Sequence, residues 1–134
     1  MIYKSHMTDD SPRAVREILK TLARLAGERE NNATHSAILL HETEPNHQHG
    51  PTADTRKRLQ GEARIARAKA DTARHLLIEA WVAAGYDDEG RQWISRTEAE
   101  RFTDAMIQIA LAERCVPGLR LELDDVFTGR IEVT

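Results

Sequence analysis

The side chains best placed to do chemistry in this 134-residue sequence are a run of arginines and a group of histidines. Between residues 54 and 75 there are seven Arg/Lys and three Asp/Glu, whereas residues 76–134 carry six basic and twelve acidic groups. On a helical wheel of about 100° per residue, Arg56, Lys57, Arg64, Arg67, Arg74 and His75 fall within one sector of about 100°. Each guanidinium is a planar fork of donors that fits phosphate and carboxylate equally well. Such a face can lie on nucleic acid, on an acidic protein, or in solvent. Asp71 sits inside the stripe, within reach of Arg67 or Arg74 on a helix. The net charge of −3 and the absence of interleaved aromatics count against strong non-specific nucleic-acid binding.

The histidines gather around a loop: His41, Glu42, Glu44, His47 and His49, with His35 upstream. His-x-His puts two imidazoles on one side of an extended segment, a usable metal geometry. A stable site also needs three or four rigidly held ligands and a supporting hydrogen-bonded shell. Pro45, Gly50 and Pro51 punctuate this stretch as a loop, which supplies neither. His41, His47 and His49 are therefore only weak metal ligands, and no cofactor is expected. Glu113 projects onto an apolar helix face, with Arg120 the expected partner. Cys115, the only cysteine, comes late in a helix, where the negative macrodipole end disfavours a thiolate, so its expected role is structural. No phosphate-binding glycine loop, GxSxG, HExxH or EF-hand pattern occurs, and no catalytic residue is assigned.

The elements that must position these groups are helical. Ser11-Pro12 reads as a helix start, and Val15, Ile18, Leu19, Leu22, Leu25 and Ala26 recur at helical spacing up to Gly27, a natural stop. Residues 33–41 are ambiguous between helix and strand, because their apolar run is short. Residues 54–84 read as one long helix, with a seam of Leu59, Ala63, Ala66, Ala70, Ala73, Leu77, Ala80 and Ala84 spaced by four and three. Small residues let helix axes approach closely, so the seam demands a neighbour, in an antiparallel hairpin or across a dimer axis. After a turn-rich segment 85–94, Ser95 with Glu98, or Thr97 with Glu100, forms a capping box for a helix running to about residue 116. Its main face is Ala99, Phe102, Met106, Ile109, Ala110 and Val116; Ile107, Leu111 and Cys115 make a second stripe. In the tail, Leu119, Leu121 and Leu123, then Ile131 and Val133, alternate as strands do.

The expectation is a mostly α protein: a flexible N-terminus (1–10) and one domain (11–134). Its antiparallel bundle uses helices 11–27, 54–84 and 95–116, with a short C-terminal β-hairpin (119–134). A homodimer is expected through Ala66, Ala70, Ala73 and Leu77 or through Ile107 and Leu111. No apolar run approaches the roughly 20 residues of a membrane span, and the N-terminus lacks the apolar stretch of a secretion signal, so a cytoplasmic protein without membrane association is expected. The Arg and Ala bias suits a GC-rich bacterial or phage genome. The leading functional expectation is a small non-enzymatic regulatory or inhibitory protein that docks on a larger protein partner through charge-segregated helix faces. The alternatives are a nucleic-acid-binding regulator using Arg56, Lys57, Arg64, Arg67 and Arg74, and a metal-dependent enzyme using the loop 41–49.

Overall fold

The computed structural model describes residues 10–43, 53–85, 94–123 and 126. Three helices pack against one another: α1 (Asp10–His41), α2 (Ala53–Ala84) and α3 (Arg96–Cys115). α1 and α2 form the most extensive pair, two 32-residue helices lying antiparallel, with Glu30 opposite Arg67. Every residue of the α2 seam is buried or half-buried, and Ala70, Ala73 and Leu77 are in the core. The close approach that the alanines permit is thus made within one chain. Ile107 is likewise buried, and Leu111 packs on the core. Of the residues expected at a dimer interface, Ala70, Ala73, Leu77 and Ile107 are therefore buried within a single molecule, and Ala66 and Leu111 are half-buried.

α1 differs from expectation in length. It starts at Asp10, runs through Gly27 and continues through residues 33–41, which are helical. Gly27 is no stop because it is a contact. A Cβ placed on it would lie 2.9 Å from the Ala110 Cβ of α3, closer than carbon atoms pack. Its hydrogen atom lets α3 sit against the α1 backbone. The buried stripe of α1 is Leu19, Ala23, Ala26 and Ala33, whereas Val15, Ile18 and Leu25 from the expected face are exposed.

α3 begins with the Ser95–Glu98 capping box: the Glu98 amide donates to Ser95 Oγ at 3.1 Å and the Ser95 amide to Glu98 Oε1 at 3.2 Å. It ends at Cys115, ahead of Pro117 and Gly118, the latter at φ +85°. Ala99, Met106, Ile109 and Ala110 are buried as expected; Val116 is exposed. The core centres on Trp81, which stacks at a tilt on Phe102, with ring centroids 5.1 Å apart, and donates its indole N–H to Met106 Sδ at 3.2 Å. Leu121, Leu123 and Val126 of the tail join this cluster. There is no strand among the described residues, and Leu123 and Val126 are helical. The expected hairpin thus finds no support in the part of 119–134 that is described. Ile131 and Val133, the Tyr86–Trp93 segment and the Ser11-Pro12 side chains lie outside it. The alternation of Leu121 and Leu123 is satisfied by packing against helices, which needs no strand partner.

Candidate interaction surface on the helical arm

Ala110 of α3 packs on Gly27 of α1, and no residue of α3 lines the groove formed farther along α1 by residues 33–41. Beyond Gly27 α1 runs another 14 residues to His41, about 21 Å at 1.5 Å per residue. The first half of α2 accompanies it. The upper part of the hairpin is therefore a two-helix arm with no third helix on it among the described residues. Two helices cannot enclose all their apolar side chains, and on this arm Ile38 is 52% exposed, Leu39 37% and Ile65 58%.

The basic stripe divides along its length. Its edge nearest α1 and α3 is held in ion pairs. Arg74 sends a two-pronged donation to Asp104 of α3, Nε at 2.8 Å and Nη2 at 3.0 Å. Arg67 donates to both carboxylate oxygens of Glu30 on α1, Nη1 at 3.0 Å, and from Nε to Asp71 at 3.1 Å. Hydrogen bonding to these carboxylates raises both arginine pKa values, Arg74 chiefly through Asp104 and Arg67 chiefly through Glu30, against partial desolvation. Each arginine stays charged through the neutral range, and the stability that its raised pKa contributes there is lost on the alkaline side as pH rises through that raised value. Arg67 and Arg74 join helices; they are not free donors for a ligand.

The outer edge is different: Lys57 and Arg64 are exposed and make no ion pair or side-chain hydrogen bond among the described residues. Arg56 is in line with Arg67 and Arg74 but nearer the start of α2, and its buried Nε has no acceptor among the described residues. Of the five stripe cations named from sequence, these three and the clasped Arg67 stand on the arm. Arg64 and Arg67 border an open groove of about 870 Å³ whose other walls are Ala33, Thr34, Ala37, Ile38, Leu40, His41, Gln60 and Ala63. This groove was not anticipated. Its α1 wall lies in residues 33–41, whose ambiguous period concealed a helix face.

The remaining candidates are scattered. His41 ends α1; His47 and His49 lie outside the described residues, and among those described no three His, Cys, Asp or Glu side chains are grouped to hold a metal. Glu113 pairs with Arg24 of α1 at 3.5 Å and not with Arg120, which turns back to the Leu119 carbonyl. Helix packing places Glu113 over α1, a partner that local spacing could not reveal. Cys115 is exposed. No described helix is long and apolar enough to cross a membrane. Comparison with protein-family models, curated proteins and solved structures finds no significant match.

Proposed function

We propose that the protein is a non-enzymatic docking module that acts by binding a larger protein through its helical arm. The observation that carries this reading is the arm itself. It combines exposed aliphatic side chains with Arg56, Lys57 and Arg64, none of which has a partner within the described chain. Interfaces of this kind pair an apolar centre with arginines that recognise carboxylates at the rim. Nucleic acid is the weaker fit. Two of the five stripe cations are already committed to Glu30, Asp71 and Asp104, and the groove beside Arg64 is lined in part by Ala33, Ala37, Ile38, Leu40 and Ala63, which phosphates do not favour.

The test is site-specific photo-crosslinking in cells that express the protein. A crosslinker at Ile38 or Ile65 is expected to give a discrete protein adduct that the same group at exposed Arg101 of α3 does not. Adducts of equal intensity at all three positions, or adducts to nucleic acid alone, would overturn the reading.

A further inference from the structure

The groove on the arm is an extension of the seat that α3 occupies. On α2, Gln60, Arg67, Arg74 and Trp81 follow one another at intervals of seven, which keeps them on one side of the helix apart from a drift of about 20° per heptad. α3 covers the last two, with Asp104 on Arg74 and Phe102 and Met106 on Trp81. The first two line the groove. On α1, Gly27, Thr34 and His41 have the same interval. Gly27 lies beneath Ala110 of α3, and Thr34 and His41 line the groove. Both walls therefore continue past the positions where Ala110 and Asp104 of α3 rest on them, over a floor that includes Ala33, Ala37 and Ala63.

Resting on the docking function above, we infer that this groove receives an amphipathic helix of the partner protein that carries an aliphatic stripe and flanking carboxylates. α3 shows how such a trough is filled: apolar side chains enter between the helices, and Asp104 closes on Arg74 from the edge. In the groove the position equivalent to Arg74 is Arg67, already clasped to Glu30; the other cation on this wall is Arg64, exposed and without a carboxylate among the described residues, with Lys57 and Arg56 farther along the same helix. Arg64 beside this apolar floor, with Arg56 and Lys57 toward the start of α2, none of them paired among the described residues, selects an acidic helix and repels a basic one.

The test uses two 20-residue designed peptides with leucine at heptad positions, one with glutamate and the other with lysine at every flanking site. Each is titrated into the isotope-labelled full-length protein. The glutamate peptide is expected to shift the amides of Ala33, Thr34, Ala37 and Ala63. Arg64→Glu is expected to weaken it at least tenfold and to let the lysine peptide bind instead. Ile38→Ser, at an exposed position, is expected to weaken both without changing the helical circular dichroism. Several results would overturn the inference: no shifts in the groove at millimolar peptide, shifts confined to a separate depression lined by Leu25, Thr72 and Leu76, equal binding of the two peptides, occupation of the groove by a second copy, or tighter binding of duplex DNA to the same amides. Arm-specific protein crosslinks that persist alongside any of these would leave docking intact and remove only the acidic helix.

Discussion

Glycines 27 and 61 show at the scale of single residues how context reverses a substitution. Both lie inside long helices, where glycine costs roughly 1 kcal/mol relative to alanine. At Gly61 nothing lies within 4 Å of a new Cβ. Gly61→Ala should therefore raise unfolding stability by about 0.5–1 kcal/mol in a urea titration. At Gly27 the added carbon meets Ala110, and the strain of overpacking, about 1–3 kcal/mol, exceeds the propensity gain. Gly27→Ala should lower stability, and the paired change Ala110→Gly should recover part of the loss; simple additivity of the two would contradict the contact. Sequence alone could not separate these glycines, because a glycine after an apolar run reads as a stop whether it ends a helix or admits a neighbour. The capping box was legible, since Ser95 and Glu98 need only each other. The partner of Glu113 was not, because Arg24 is 89 positions away.

Helical elements set which ion pairs form. The Arg67–Asp71 pair is local and readable from spacing of four. The clasps from Arg67 to Glu30 and from Arg74 to Asp104 join different helices and depend on how α1 and α3 are placed. A double-mutant cycle on Arg74 and Asp104 should give a coupling of about 0.5–1 kcal/mol, the range for solvent-screened pairs, because both side chains are more than a third exposed. A coupling indistinguishable from zero in denaturant titrations would mean that the fork does not fasten α3. The same geometry explains what a wheel cannot resolve in the basic stripe. A wheel shows that Arg56, Lys57, Arg64, Arg67 and Arg74 share a sector, but that sector is wider than the solvent-facing strip. On one edge Arg67 and Arg74 meet carboxylates of the neighbouring helices, with Arg56 in line with them toward the start of α2, and on the other edge Lys57 and Arg64 stay outside. The groove was illegible for a related reason: it exists only where two helices run on beyond a third.

For the whole molecule, the three-helix body and the two-helix arm differ in how much apolar surface each encloses. Buried side chains concentrate around Leu77, Trp81 and Met106, whereas the arm contributes only Ala33 and Thr43 to the fully buried set. Amide hydrogen exchange should therefore be slowest near residues 73–81 and 103–110 and at least about tenfold faster over 34–41 and 55–65. Uniform protection along both long helices would refute a division into body and arm. The helical bundle was legible from the apolar periods, and the alanine seam announced the close pair; neither stated that α3 would stop short of the hairpin tip. The Gly27–Ala110 contact has one further consequence, for alignment. Sliding α3 by one turn along its seat would bring Met106 or Arg114, or at the shorter step Ile107 or Glu113, over Gly27. None of these fits where a single added carbon already collides. The glycine thus works as an indexing notch that admits one register of α3, and the alanine-floored groove above it has no counterpart.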